Sequence, residues 1–327
     1  MSPPLMEVRD LRLRYRTGRG MVHAVDGVSL TVERGETLGL VGESGCGKTA
    51  FARAVTGLVP GNDAQRSGSV LFAGEDLLAL DDEAMRSVLG TRIAMVFQSP
   101  LTSLNPVMRI GAQLTEGLRL HRSLSRAAAR AAAADLLRSV HIADPEAMLR
   151  RYPHQLSGGM RQRVIIAIAL ACGPELLLAD EPTTALDVTV QAQILDLLAE
   201  LRRERGMATV LVSHDLGVVA TRTDRIAVMY AGKIVEYGPT RALFRRPRMP
   251  YTEALLGAIP RLDAEDRGPL RTIPGSPPSL LDPGPGCRFA PRCAHAGPRC
   301  LAEEPPLREA GTPGHRFACW HPIGTEP

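Results

Sequence analysis

The sequence predicts an α/β fold built on a largely parallel sheet, and three observations carry that prediction. Short apolar runs, ETLGLVG, RIAMVFQ, ELLLAD, TVLVSH and RIAVMYAGKIVEYG, alternate with helical stretches. That is the pattern of strands covered on both faces by crossover helices. The first of these runs leads into a glycine-rich loop and then a helix, the context of a phosphate-binding turn. Finally, 327 residues at 44% hydrophobic and 23% charged make an ordinary globular protein, long enough for one large domain or two smaller ones.

Taken in order, the chain opens on EVRDLRLRY and SLTVERGETLGLVG, β-rich runs separated by turn signals, as at an antiparallel sheet edge. Residues 107–150 lack strand signals and contain RSLSRAAARAAAADLLRSV, whose alanines favour helix and whose interspersed Arg, Asp and Leu keep an amphipathic pattern. This predicts a helical insertion over about 107–160. Helices are expected near Thr240–Phe244 and Tyr251–Ala258, after which periodicity fades. Of 26 prolines 16 lie beyond residue 244, and of six cysteines four lie in the last 41 residues. The expected division is therefore 1–245 and a C-terminal extension, 246–327. No internal repeat is visible.

Charge excludes some classes of function. The 39 basic and 35 acidic residues leave a net charge of +4, which is neither a nucleic-acid tail nor a polybasic membrane anchor. Only Lys48 and Lys233 are lysine, so arginine is compositional background. Lys233, between two strand-like runs after Gly232, is assigned to a hairpin turn. The longest apolar run, Val164–Cys172, is nine residues, short of the roughly 20 that cross a bilayer. The N-terminal stretch MSPPLMEVRDLRLRYRTG has no apolar core of the secretory kind, so a cytoplasmic location is expected.

The segment GESGCGKT, Gly42–Thr49, lies between the run ETLGLV and the helix-forming AFARAVTGL, as a P-loop does. Gly42, Ser44, Gly45 and Gly47 let backbone N–H groups converge on phosphate oxygens, helped by the positive end of the helix. Lys48 is expected to bridge the terminal phosphates and Thr49 to ligate magnesium. A compact ammonium suits that narrow loop where a planar guanidinium does not. Cys46 is read as inert. The run ELLLADEP, Glu175–Pro182, is an apolar strand ending in two carboxylates. Strand alternation is expected to point them apart, leaving Asp180 to hold magnesium and Glu181 to act as general base toward water.

Between these two elements lies LSGGMRQR, Leu156–Arg163, which resembles the signature motif of ABC-type ATPases. Other segments resemble the same family in family order: Gln98 in VFQSP the Q-loop, Ala185-Leu186-Asp187 the D-loop, His214 in LVSHD the switch histidine. Tyr15 sits where the family places an aromatic that stacks on adenine. The resemblance covers about residues 5–245. It implies a P-loop NTPase of the ABC cassette type, with an antiparallel β subdomain and a helical subdomain. It also implies ATP and Mg2+ as cofactors and Gln98 as a magnesium and γ-phosphate sensor. Ser157, Gly158 and Gly159, opening a helix over Met160–Ala171, would face the ATP of a second cassette across a head-to-tail dimer.

The tail stretches MPYTEALLGAIP, IPGSPPSLLDPGPGCRFAPRC and RFACWHP, with SPLTSLNP after the Q-loop, resemble ATPases of oligopeptide and dipeptide importers. That implies a second, related ATPase subunit in a heterodimer, two transmembrane permease subunits, an extracytoplasmic substrate-binding protein, and a peripheral place on the cytoplasmic face of the membrane. The tail cysteines Cys287, Cys293, Cys300 and Cys319 are spaced C-x5-C-x6-C-x18-C, without a CxxC knuckle. In a core-poor segment a four-thiolate metal site would act as a staple. The family resemblance implies a [4Fe-4S] cluster on these four. Zinc and free thiols stay open, with His295, His315 and His321 as nearby alternative ligands. Rival classes are a soluble ABC ATPase acting on nucleic acid or ribosomes, an exporter ATPase, and an ATP-binding subunit without turnover. The intact Glu181 and His214 speak against the last.

Overall fold

A computed structural model describes residues 3–61, 63–184, 186–259 and 272–324. These fall into two compact units. The first, Met1–Val32, Thr37–Leu78 and Ser213–Pro327, begins with β1 (Met6–Thr17), β2 (Gly20–Val32), β3 (Thr37–Val41), α1 (Lys48–Thr56), β4 (Ala64–Phe72) and β5 (Glu75–Asp76). The second, Glu33–Glu36 and Ala79–Val212, follows with α2 (Asp82–Val88), β6 (Ile93–Val96), α3 (Pro100–Ser103), α4 (Ile110–Arg122), α5 (Arg126–Ser139), α6 (Pro145–Arg150), α7 (Gly158–Ala169), β7 (Leu176–Asp180), α8 (Val188–Arg205) and β8 (Ala208–Ser213). The chain then returns to the first unit with α9 (Leu216–Ala220), β9 (Arg225–Tyr230), β10 (Lys233–Pro239), α10 (Thr240–Arg245), α11 (Pro250–Gly257), α12 (Pro298–Ala302), β11 (Arg308–Glu309) and β12 (Arg316–Phe317).

In the first unit β2-β1-β4-β5 form the antiparallel sheet that the opening runs predict. Alternation buries Leu11 and Leu13 of β1 while Arg12 and Arg14 stay half-exposed. The same unit holds strands in the order β11-β12-β10-β9-β3, with β3 parallel to β9 and the rest antiparallel. Every residue of β3 is buried, as a strand covered on both faces must be.

In the second unit β8, β7 and β6 are parallel. Residues 107–160 hold α4, α5, α6 and the start of α7, joined by loops and a 3-10 turn, with no strand between them among the described residues. Ser125 and Asp144 cap α5 and α6 by accepting the N–H of Ala128 and Ala147. The small face of α5, Ala129, Ala133 and Ala134, is buried with Leu114 and Leu118 of α4 and with α7 residues Val164 and Ile166. Alanine at those positions permits close helix approach.

Two expectations need correcting. Lys233 does not sit in the hairpin turn, which is Ala231-Gly232; it opens β10, where Nζ donates to the Asp26 carbonyl at 3.1 Å and pairs with Glu304 at 2.7 Å. Nor is the tail core-poor. Phe289, Phe317 and Cys319 are buried with Tyr230, Tyr251 and Leu243, and Arg288 donates to the buried Asp26. The strand at the tail's end is pinned through Glu236, which is fully buried. Its carboxylate accepts the N–H of Arg248 at 2.7 Å and of Met249 at 3.1 Å, and contacts His315 Nε2 at 2.7 Å. Glu236→Ala leaves two buried groups, the Met249 N–H and the His315 ring, and the part-buried Arg248 N–H without their partner, so it is expected to lower unfolding free energy by about 3 kcal/mol, read as an earlier urea midpoint. An unchanged midpoint would show that the tail contributes nothing to this unit's stability.

Candidate nucleotide site

The first unit carries the P-loop. Between β3 and α1 the chain must turn sharply, and two glycines set how. Gly42 has φ +154°, and a Cβ there would lie 2.1 Å from the Met229 carbonyl oxygen; Gly47 has φ +110°, with its Cβ 2.3 Å from that of Ala24. Neither position admits another residue without moving backbone. Gly47 is also the N-cap of α1, so the loop delivers its N–H groups at a helix N-terminus. Ser44 and Gly45 are exposed while Lys48 is only 5% exposed. The Lys48 ammonium donates to the carbonyls of Gly42, at 2.8 Å, and Glu43, at 3.0 Å. Burial raises the Cys46 thiol above its ordinary pKa and keeps it neutral, in keeping with its reading as inert.

Thr49 follows Lys48 in the first turn of α1. Tyr15, half-buried on β1, lies close enough to Arg53 of α1 to feel its charge, though burial is the larger influence and raises the phenol. His214 is exposed directly after β8, where Ser213 Oγ accepts the N–H of Asp215 at 3.0 Å and Asp215 in turn caps α9.

The second unit carries the two carboxylates. Asp180 ends β7 and is 1% exposed. Glu181, next in sequence, leaves the extended strand conformation with φ 47°. A non-glycine residue in the left-handed region is under strain, and such strain gathers at functional sites. The backbone holds it there, because Glu181 N–H still donates to Val212 O at 3.1 Å. Its Oε2 accepts from Gln98 Nε2 and from Thr184 Oγ1, both at 2.9 Å. Gln98 and Glu181, 83 residues apart in sequence, are thus brought together.

The signature opens α7. Ser157 is the N-cap, accepting the Met160 N–H at 3.3 Å, and Ser157 and Gly158 are exposed. A Cβ on Gly159 would lie 2.8 Å from Val190 Cγ1, so glycine there permits α7 to approach α8. Of the D-loop, Asp187 caps α8 by accepting the Val190 N–H at 2.9 Å, and Ala185 lies outside the described residues.

With this geometry on the page, comparison with known proteins decides the family. The ABC transporter family matches residues 25–184, and the family described as oligopeptide/dipeptide transporter, C-terminal region, matches 235–300. The oligopeptide transport ATP-binding protein OppD of Salmonella typhimurium is 50% identical over 319 residues, 98% of this chain and 94% of that protein. The chain belongs to the ABC transporter ATP-binding proteins. The dipeptide transport ATP-binding protein DppD of Bacillus subtilis is 46% identical over 317 residues, 97% of this chain and 94% of that one. Among solved structures, a dimeric ATP-binding cassette in a post-hydrolysis state, bound to ADP and Pi, matches with TM-score 0.65 and 28% identity. It covers 72% of this chain and 99% of its own. As an ABC ATPase, this chain combines the cassette fold with a C-terminal region of the peptide-transporter kind.

Two residues beside these loops, Thr184 and Glu43, lie outside the site that the sequence predicts. Thr184 was an unremarked turn residue, although a hydroxyl three positions after a carboxylate in a turn is a recognisable partner. Glu43, in the P-loop, carries no sequence signal tying it to the tail, where Arg292 holds its carboxylate by two bonds of 2.7 and 2.9 Å.

The tail cysteines are neighbours. Cys287 N–H donates to Cys300 O at 2.7 Å. Burial pushes the Cys319 thiol up to about 11, and Cys287, Cys293 and Cys300 are near enough to add to the rise. Yet among the described residues no three His, Cys, Asp or Glu side chains are placed to hold a metal ion. The expected four-sulfur cage is therefore not preformed. Among the described residues no helix is long and apolar enough to cross a membrane.

Proposed function

We propose that this ABC ATPase powers the uptake of di- or oligopeptides, sitting as a peripheral subunit on the cytoplasmic face of a membrane beneath two permease subunits fed by a substrate-binding protein. The observation that carries the reading is the union, in one chain, of a cassette and a peptide-transporter C-terminal region. In this reading the chain divides into a cassette, 1–245, and an extension, 246–327. Its partner across the ATP is a second, related cassette, because one chain supplies one P-loop and one signature.

In the proposed site the P-loop N–H groups and Lys48 hold the phosphates, Thr49 and Asp180 hold magnesium, and Tyr15 stacks on adenine. Magnesium would neutralise charge on the transferring phosphoryl group. Glu181 orients water and accepts its proton, with Gln98 and Thr184 holding its carboxylate in place. His214 completes the site toward the γ-phosphate. The partner's signature contributes at its helix N-terminus, as Ser157, Gly158 and Gly159 do for the partner's ATP. Closure on ATP and release after hydrolysis would drive the permeases.

The test is purification from detergent-solubilised membranes and identification of what accompanies the chain. Two permeases and a second ATPase are expected, with ATP turnover in vesicles raised by peptide-loaded binding protein. Recovery with ribosomes or DNA instead would overturn the reading in favour of a soluble ABC ATPase.

For the tail, we propose that Cys287, Cys293, Cys300 and Cys319 close on a [4Fe-4S] cluster, zinc being the alternative. Backbone N–H groups of Phe289, His295 and His321 lie near Cys287, Cys293 and Cys319 and work against the rise that burial causes in those thiols, and such donors favour metal-bound thiolate. Anaerobic purification with iron and sulfide analysis decides it. Brown protein with equal iron and sulfide is expected; a colourless, metal-free chain would sink the cluster, and a zinc-loaded one would replace it.

A further inference from the structure

We propose that Arg292, in the cysteine-bearing tail, is a positioning residue of the P-loop that acts by neutralising Glu43. The proposal rests on the nucleotide-binding reading of that loop. Its ground is an apparent conflict: Glu43 places a carboxylate inside a turn built to gather anionic phosphates. Such a charge opposes a triphosphate unless something cancels it.

Arg292 lies on a short 3-10 turn, Ala290–Arg292, one residue before Cys293 and 249 positions from Glu43. Its side chain is 4% exposed. Nη1 donates to Glu43 Oε2 at 2.7 Å and Nη2 to Oε1 at 2.9 Å, a fork-to-fork pair. The other guanidinium hydrogens are also used: Nε donates to Pro274 O at 2.7 Å, Nη1 to Tyr230 Oη at 3.3 Å, and Nη2 to Ile273 O at 3.4 Å. A group with all its N–H bonds spoken for is held in one place, and lysine cannot reproduce that fork.

The rest of Glu43 is held as firmly. Its N–H donates to Tyr251 Oη at 2.9 Å, and its carbonyl accepts from Lys48. Tyr251 packs against Tyr230 and Phe289, with ring centroids 4.5 and 5.3 Å away. Both Tyr230 and Phe289 also flank Arg292. The tail thus reaches the loop's second residue through one ion pair and one aromatic cluster, and Lys48 bonds to that same residue. Removing the guanidinium leaves the Glu43 charge uncancelled beside the phosphates and releases the loop from the tail.

Two variants of the full chain separate this from a merely structural role. Arg292→Gln is expected to bind a fluorescent ATP analogue about tenfold more weakly and to raise KM for ATP while kcat at saturation changes little. The double variant Arg292→Gln/Glu43→Gln, with the offending charge removed, is expected to recover most of the lost affinity. Arg292→Gln binding as tightly as the unsubstituted chain would overturn the proposal, and so would a double variant no better than the single one. If Arg292→Gln fails to fold, Glu43→Gln alone carries the test. With its own charge gone and that of Arg292 left uncancelled, it is expected to bind about tenfold more tightly than the parent at low salt, and less so as salt rises; binding no tighter than the parent would overturn the proposal. Lys48→Ala run alongside keeps the two readings apart. Loss of binding in Lys48→Ala with none in Arg292→Gln removes only the role of Arg292, whereas no binding by the unsubstituted chain removes both.

Discussion

Glu181→Gln is expected to bind ATP as the parent does and to hydrolyse it about a thousandfold more slowly, the scale of a lost general base. The substitution keeps the shape of the side chain and an oxygen that can accept from Gln98 Nε2 and Thr184 Oγ1 at the 2.9 Å both now make. What it removes is the ability to take a proton. Those two donors converge on one carboxylate oxygen, Oε2, and hold the side chain in place. Because the φ of 47° at Glu181 belongs to the turn after β7 and is secured by the bond from its N–H to Val212 O, glutamine inherits the same backbone. Steady-state phosphate release and equilibrium binding of a fluorescent ATP analogue, measured on the purified variant, separate the two effects. Hydrolysis at the parent rate would refute the assignment of the base. Equal losses of binding and turnover would show Glu181 to be a structural residue.

The strand-and-loop framework was legible because it is written locally. The runs ETLGLVG and ELLLAD are continuous apolar strands, and each is followed at once by the residues that do chemistry, so position in sequence and position in the site coincide. The insertion was legible for the same reason: its alanine-rich helix propensity and amphipathic pattern of Arg, Asp and Leu are local. The backbone of Glu181 was not legible, since the left-handed turn it makes after β7 is set by its N–H bond to Val212 O on β8 and not by a local pattern. The contribution of the tail was misjudged for a related reason. Proline and glycine obscure periodicity, but Phe289 and Phe317 find their burial against Tyr230, Tyr251 and Leu243, which lie elsewhere in the chain. Pairings such as Arg292 with Glu43 or Glu236 with His315 leave no spacing signal, because nothing in the local chain fixes their register.

Lys48→Ala is expected to weaken ATP binding by about a hundredfold or more, and Lys48→Arg to recover little of it. The first follows from charge: a buried ammonium at the start of a helix, among converging N–H groups, is a strong local attraction for phosphate. The second follows from shape. The ammonium sits within 2.8 and 3.0 Å of the Gly42 and Glu43 carbonyls, in a loop that cannot widen at either end. Gly42 has the Met229 carbonyl where a Cβ would go, and Gly47 has that of Ala24; Glu43 between them is tied to Arg292 and Tyr251. A guanidinium is broader, planar and always directed along its fork, so it must either leave the loop or displace bonds that hold it. In a chain whose other cations are almost all arginine, the lysine is there because arginine does not fit. Equilibrium binding of a fluorescent ATP analogue to both variants, at low and moderate salt, checks the two steps separately. Arginine restoring parent affinity would show that charge alone decides and that the narrowness of the loop does not matter. Alanine binding as tightly as the parent would remove Lys48 from the site altogether.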